Sequence, residues 1–338
     1  HWRAHSNSTA YSASTKPYAM PSGERALNEH FHRCKIRANA KLIGHGYRIR
    51  YDLPENPPLV SIIIPTRNRL DLLRPCIQSI KQLTSYPNYE IIVIDNGSDD
   101  PQMLAYLNQT DSAEREFTVM KDDRPFNYSA LNNKAVGEAK GEYITLLNND
   151  VRVISPDWLN EMMGVAVQPG VGVVGAKLYY PDGTIQHAGI VLGIGGVAGC
   201  AHSHMDKANK GFFGRASLTN SFSAVTGACM VVSKAIFEKL DGFNEVYLPI
   251  AFNDVDFCLR VREAGYRNVF TPFAELLHYE SASRGYEDSP EKMKRFEQES
   301  DYMVKTWSGI LQNDPAYNPN LTLEFSDFSL AWPPRGNL

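Results

Sequence analysis

Three apolar stretches of this chain end in polar residues that could do chemistry. "SIIIP" runs into Thr66, Arg67 and Asn68, "IIVI" into Asp95 and Asn96, and "ITLL" into Asn148, Asn149 and Asp150. A strand-terminating turn explains any one of them, because Asn and Asp suit turns. The other reading is a metal or ligand site, since open α/β sheets place their sites beyond the carboxyl ends of the strands. Parallel strands would bring all three clusters to one sheet edge. Three in register favour a ligand cleft over three unrelated turns.

Further candidates lie downstream. Asp254 and Asp256 fall near the start of a helical stretch, "DVDFCLRVREAGY", where the dipole favours acids. "LGIGGVAG" places Gly193, Gly195 and Ala198 in a G-x-G-x-x-A pattern after an apolar run. A dinucleotide fold would need a helix next and an acid about 20 residues on. "CAHSHMDKANKG" supplies neither, so a dehydrogenase is set aside.

The elements that must position these residues alternate. "LVSIIIP", "YEIIVID", "FTVMKDD" and "EYITLL" read as buried strands. Between them, "LDLLRPCIQSIKQL", "QMLAYLNQ" and "NYSALNNKAVGEAKG" read as helices, with Gly141 closing the last. Strand–helix–strand alternation predicts an α/β fold with a mostly parallel sheet flanked by helices. The second half reads as helix, strand, glycine-rich hairpin, strand–helix, helix, strand and a charged helix over 286–312. Residues 1–58 read as a connector with one helix from about Ser22, ending in the proline-rich "YDLPENPPL".

With 338 residues the chain can bury a sizeable core. A net charge of −4 with 21% charged residues excludes a nucleic-acid binder that relies on a basic surface. No apolar run reaches the roughly 18 residues of a membrane span. The five cysteines are widely spaced with no C-x-x-C pair, which reads as reduced cytosolic thiols used mainly in packing. The chain opens on His1, so its natural start is expected to lie upstream.

Seven stretches together resemble glycosyltransferase family 2, in that family's order. They are "VSIIIPTRNRLDLLRPCIQSI", "YEIIVIDNGSDD", "FNYSALNNKAVGEAKGEYITLLNNDV", "IQHAGIVLG", "TGACMVVSKAIFEKLDGFNE", "NDVDFCLRVREAGYRNV" and "LLHYESASRG". The nearest flavour is the bacterial polysaccharide and O-antigen enzymes, including rhamnosyltransferases. The resemblance implies a GT-A fold over 59–312, with a nucleotide-binding half at 59–150 and an acceptor-binding half at 151–312. An N-terminal connector (1–58) and an extended tail (313–338) complete the expected organisation. "HWRAHSNSTA" and "KPYA" are similar to the link between modules of multidomain glycosyltransferases, which implies neighbouring catalytic modules.

The resemblance also implies roles. Asp95 matches the acceptor for N3–H of uracil or thymine, with Asn96 beside it. Thr66, Arg67 and Asn68 lie beside the base and diphosphate. Asn133 and Lys134 reach toward ribose or phosphate, although an exposed helical face explains them equally well. Asp150 matches the last carboxylate of the D-x-D signature, which binds Mn²⁺ or Mg²⁺ through oxygen ligands. Asn148 departs from the acid at the first position, and Asn149 lies between. His278 matches a histidine that completes the metal shell. Asp254 is the implied base for inverting transfer, with Asn253 in place of the pair's first acid and Asp256 as its competitor. Gln186, His187, Thr226 and Gly227, with Asp256, are implied in the acceptor or sugar pocket.

The expected activity is inverting, metal-dependent transfer of a sugar from a dTDP- or UDP-sugar to a growing glycan. dTDP-rhamnose is the first choice, with UDP-galactose or a UDP-hexosamine next. A lipid-linked acceptor and the inner face of the cytoplasmic membrane follow by analogy. The rival from another class is a non-catalytic module that binds glycan or nucleotide sugar.

Overall fold

The structure, a computed structural model, describes residues 16–44, 46–113, 116–280 and 289–335. The chain divides into two compact units, His1–Asp52 and Leu53–Leu338.

In the first unit, helix α1 (Ala19–Arg33) precedes an antiparallel hairpin of β1 (Ala38–Ile43) and β2 (Gly46–Tyr51). The helix begins a turn earlier than Ser22, whose hydroxyl instead accepts a bond from Arg25 at 2.9 Å. The hairpin is absent from the sequence expectation because Lys41, Arg48 and Arg50 interrupt its apolar pattern. Asn28 of α1 pins it, bonding both the N–H and the carbonyl of Ala40 at 2.8 and 3.0 Å.

The second unit begins with strict alternation: β3 (Val60–Thr66), α2 (Leu70–Leu83), β4 (Tyr89–Asp95), α3 (Pro101–Ala113), β5 (Phe117–Lys121), α4 (Tyr128–Glu138) and β6 (Tyr143–Leu147). It continues with β7 (Val151–Val153), α5 (Trp158–Ala166), β8 (Val171–Tyr179), β9 (Ile185–His187), β10 (Ile190–Leu192), β11 (Ala198–Cys200) and β12 (Asn220–Phe222). Last come β13 (Cys229–Ser233), α6 (Lys234–Lys239), α7 (Asn253–Glu263), β14 (Arg267–His278) and α8 (Pro290–Gln312).

One sheet runs β12-β14-β8-β13-β6-β3-β4-β5, with β7 on β14 and β9 on β8. Its β6-β3-β4-β5 part is parallel. Strand β13 runs antiparallel to both β6 and β8, so the second half is mixed. All seven residues of β3 are buried, which is why it reads as a continuous apolar run. Helix α2 buries Leu73, Cys76, Ile77 and Ile80, a spacing that lays one helical stripe on the sheet. Helix α4 is capped by Asn127, whose side chain accepts the Ala130 N–H at 2.9 Å.

The crossover order positions the site. The chain lays β4 and β5 on one side of β3, then returns to lay β6 on the other side. Neighbouring connections therefore diverge at the carboxyl ends of β3 and β6, which opens a crevice. Pairing of β3 with β6 stops at Ile63 and Leu146, whereas pairing with β4 continues to Thr66 and Asp95. Pro65, which has no N–H to donate, sits beyond the point where β6 needs a partner.

Two expectations need correction. Gly141 does not close α4, whose C-cap is Ala139. Its N–H donates to Ser61 Oγ at 2.8 Å, and a Cβ there would lie 2.6 Å from the Ser61 nitrogen. Close approach to β3, not helix termination, selects glycine. Residues 313–335 form no helix but fold back onto the core. Buried Asp314 accepts the Leu192 N–H at 2.9 Å and the Ser223 hydroxyl at 2.5 Å. Tyr317, Leu321 and Phe328 join the apolar core.

Among the described residues no helix is long and apolar enough to cross a membrane. The five cysteines are free, and Cys76, Cys229 and Cys258 are buried.

Candidate active site

The crevice opens into a cleft of about 670 Å³, a size suited to a small-molecule ligand. Its floor comes from Pro65–Arg69 at and beyond the end of β3 and Asn148–Asp150 after β6. Thr226, Gly227 and Ala228 before β13 form one wall, and Ile250 and Phe252–Asp254 at the head of α7 another. Phe126, Tyr128, His278 and Glu280 complete the lining.

Asp150 and His278 meet on the floor. His278 Nε2 lies 3.1 Å from Asp150 Oδ1. The backbone fixes this approach, because His278 pairs with Val151 and the Tyr279 N–H donates to the Asp150 carbonyl at 3.0 Å. Asn148 Nδ2 lies 3.3 Å from His278 Nε2. The Tyr128 hydroxyl stands 3.0 Å from Asn148 Oδ1 and 3.2 Å from the Gly227 carbonyl.

These donors fit a divalent cation. Two ligands about 2.1 Å from one octahedral ion, at right angles, stand about 3 Å apart. The Asp150–His278 separation matches that figure. Among the described residues no group of three or more His, Cys, Asp or Glu side chains could hold a metal alone. Such a site needs ligand oxygens and water to fill its shell, as is usual for ions bound together with a diphosphate.

Asp254 stands in the first turn of α7. One carboxylate oxygen accepts the Gly227 N–H at 2.7 Å and the other the Val255 N–H at 2.8 Å. A Cβ on Gly227 would lie 3.3 Å from the Asp254 Cβ, so glycine permits this approach. Burial pushes the Asp254 carboxyl above its ordinary pKa, and the two N–H groups only partly offset it. A carboxylate that takes up a proton more readily than usual suits a general base. Asp254, Gly227, Tyr128, Asn148, His278 and Asp150 thus form one bonded wall.

Both departures from acid to amide have a local reason. Asn253 is buried, and its Nδ2 donates to the Ile250 carbonyl at 3.0 Å. An ionised Asp has no hydrogen to give there. Asn148 likewise faces His278 with its NH₂ and Tyr128 with its oxygen.

Other expected residues lie at or behind the same edge. Thr66 lines the cleft, and its hydroxyl accepts from Asn149 Nδ2 at 2.9 Å. Arg67 is exposed on the lining. Asn68 lines it too, and its side chain ties down the next loop through Asp99 and Asp100. Asp95 pairs in register with Thr66 but is not on the lining. It is 2% exposed, and its Oδ1 accepts both the N–H and the hydroxyl of Ser98. Asn96 holds the Asp122 and Arg124 carbonyls at 2.7 and 2.8 Å.

Several are not brought to the cleft. Asn133 faces the 243–245 segment, bonding the Phe243 carbonyl and Glu245 at 2.8 Å each. Lys134 pairs with Asp122 at 3.2 Å. Asp256 points away into the protein, held by Arg260 and Trp307 at 2.9 Å each. Two residues along a helix point in different directions, so Asp254 and Asp256 part company. His187 is wholly buried and lies behind the wall, with Nδ1 on the Ala176 carbonyl at 2.8 Å and Nε2 receiving the Thr226 N–H at 3.3 Å. Burial pushes its pKa down to about 4. Gln186 also lies behind the lining, against His278 and Glu280.

Sequence reasoning missed Tyr128, Glu280, Arg69, Phe126, Ile250 and Phe252. Glu280 had a signal, because it is an acid only two residues beyond His278. Tyr128 gave none, since its role depends on a contact across 99 residues to Gly227.

Comparison with known proteins identifies the family and the fold. Residues 61–241 match the family described as Glycosyl transferase family 2. Uncharacterized protein y4gI of Sinorhizobium fredii (strain NBRC 101917 / NGR234) is 52% identical over 335 residues, 98% of this chain and 37% of its own length. The O-antigen biosynthesis protein RfbC of Myxococcus xanthus is 37% identical over 322 residues, 92% of this chain and 24% of its own. The chain therefore spans well under half the length of either relative. Among solved structures, the mannosyltransferase PcManGT from Pyrobaculum calidifontis, in complex with GDP-Man and Mn²⁺, superposes with a TM-score of 0.56 at 15% identity. That match covers 87% of this chain and 79% of the other, and at such identity it shows a shared fold.

Proposed function

The chain belongs to glycosyl transferase family 2 and has the GT-A fold, and from that premise we propose that it transfers a sugar, with inversion, from a nucleoside-diphosphate donor to a growing cell-surface glycan. The observation that carries this reading is the convergence of Asp150, His278 and Asp254 on one cleft.

Asp150 and His278 are the proposed ligands of Mn²⁺ or Mg²⁺. When bound, the ion would neutralise charge building on the departing nucleoside diphosphate. Asn148 and Asn149 hold the floor, and Arg67 offers a guanidinium to the diphosphate. Both bonds from Ser98 go to Asp95 Oδ1, which leaves Oδ2 to accept N3–H of a uracil or thymine. Asp254 removes the acceptor hydroxyl proton while that oxygen attacks the anomeric carbon from the face opposite the diphosphate. The C–O bond to the diphosphate breaks as the new glycosidic bond forms. Thr226 and Gly227 shape the acceptor side.

The O-antigen relative supports a bacterial surface glycan, and the length of both relatives supports further modules in the natural protein. A lipid-linked acceptor at the cytoplasmic membrane face remains part of this proposal. dTDP-rhamnose is the first-choice donor, with UDP-galactose and UDP-N-acetylglucosamine next and GDP-mannose as an outgroup. The test is calorimetric titration of these four, each with and without Mn²⁺. One donor bound tightly only with Mn²⁺ supports the reading and names the sugar. A folded protein that binds none of them, with or without metal, contradicts it and favours a glycan-binding module.

A further inference from the structure

His278 could not serve a cation with its ring turned the wrong way. The backbone of β14 fixes where the imidazole starts, but rotation of the ring about its last torsion is soft and roughly two-fold. A half-turn exchanges Nδ1 for a carbon. The proton must also sit on the nitrogen away from the ion, because a metallated nitrogen offers a lone pair.

The Gln186 amide settles both questions. On one side His278 Nδ1 lies 2.6 Å from Gln186 Oε1. An amide can present either end, and here Glu280 decides, taking Gln186 Nε2 at 3.1 Å. A carboxylate only accepts, so the NH₂ of Gln186 faces Glu280 and its oxygen faces the imidazole. Nδ1 must then carry the proton. On the other side the Tyr128 hydroxyl meets Asn148 Oδ1 at 3.0 Å. With the proton on Nδ1, Nε2 of the neutral ring keeps its lone pair, and the Asn148 NH₂ meets it at 3.3 Å. The same lone pair faces Asp150 Oδ1 at 3.1 Å. Two electron-rich atoms at that distance are stabilised by a cation between them.

We propose that Gln186, oriented by Glu280, is a positioning residue that holds His278 with its proton on Nδ1 and its Nε2 lone pair toward a divalent cation at Asp150. This rests on the assignment of Asp150 and His278 as metal ligands. Gln186 and His278 are both buried, whereas Glu280 is exposed. Metal-bound histidines generally donate their second N–H to a fixed acceptor, and losing that acceptor typically weakens metal affinity 10–100-fold.

The experiment uses the protein labelled with ¹⁵N-histidine, without metal, at a pH about two units above the usual imidazole value of about 6.5. Nitrogen shifts report the tautomer of His278, assigned with His278→Gln. Mn²⁺ affinity is read separately from the free-ion electron paramagnetic resonance signal. Wild type is expected in the Nδ1–H form. Gln186→Leu is expected to mix tautomers and raise the Mn²⁺ Kd roughly 10–100-fold. Gln186→Glu restores an acceptor for Nδ1–H and recovers most of the affinity. Should Gln186→Leu fail to fold, Glu280→Ala at its exposed position frees the Gln186 amide to flip and gives the same mixing.

An Nε2–H form in wild type overturns the proposal. So do an unchanged tautomer and affinity in folded Gln186→Leu and Glu280→Ala. An Nδ1–H form lost in the variants, with no Mn²⁺ bound by any protein, upholds the positioning and overturns the metal assignment beneath it.

Discussion

The Gly227 N–H donates to the Asp254 carboxylate at 2.7 Å, and no larger residue fits between them without displacement. This contact joins the wall before β13 to the head of α7 and aims the proposed base into the cleft. Burial raises the carboxyl pKa of Asp254. Transfer requires the ionised form, so rate should fall as pH drops through that raised value. The acid limb of kcat/KM is expected above the ordinary aspartate range of about 3.9. Asp254→Asn should keep donor affinity, lose roughly 10²–10⁴ in rate and abolish that limb. Normal transfer by this variant would remove Asp254 from the chemistry.

Gly227→Ala tests the same contact from its other side. The added Cβ would stand 3.3 Å from the Asp254 Cβ, so the carboxylate must give way by a few tenths of an ångström. We expect kcat to fall while the donor Kd, measured by calorimetry, stays within about twofold. An equal loss in both would mean that Gly227 shapes the donor pocket instead.

Asp256 should behave as a structural acid. It is 1% exposed and bonded to Arg260 and Trp307. Asp256→Ala leaves the Arg260 charge and the Trp307 N–H without their partner, at a cost of roughly 3 kcal/mol. Denaturant unfolding should show that loss, with donor affinity retained in the folded fraction. Full stability with lost transfer would make Asp256 the base.

His187 and His202 predict acid sensitivity of the fold. Burial depresses each to about 4. The unfolded chain, with histidines near 6.5, binds more protons between those values. Their contribution to stability is therefore complete above about pH 6.5 and declines as pH falls toward 4. Melting temperature should drop across that window, and less so in His202→Gln. A flat profile from 7 to 4 would contradict the burial argument.

Much of this was legible in the sequence because parallel buried strands leave an unbroken apolar signature. "VSIIIPT" and "YEIIVID" announce their own ends, and the polar residues beyond them fall at one edge. Asp150, Thr66 and Asn148 could thus be placed together from pattern alone. At the head of α7 the resemblance favoured Asp254 over Asp256 as the base, while local acid placement alone does not say which way a helix faces. Only packing on Trp307 and Arg260 turns Asp256 inward. Tyr128 and the bond between Gln186 and Glu280 stayed hidden, since the partners are distant in the chain. Asn133 carried no mark of its bonds to Phe243 and Glu245. The hairpin of β1 and β2 was missed for a different reason: mid-strand Lys and Arg obscure the alternation of a small half-exposed sheet.

The central claim is that Asp150 and His278 hold a metal ion for a nucleotide-sugar donor. The most direct measurement is donor calorimetry on wild type and Asp150→Ala, each with Mn²⁺ and with chelator. We expect wild type to bind one nucleotide sugar with Mn²⁺ and to lose at least tenfold in affinity with chelator. Asp150→Ala should bind equally weakly under both conditions while keeping its melting temperature within a few degrees. Donor binding that ignores Mn²⁺ in wild type, or that survives unchanged in Asp150→Ala, would contradict the account.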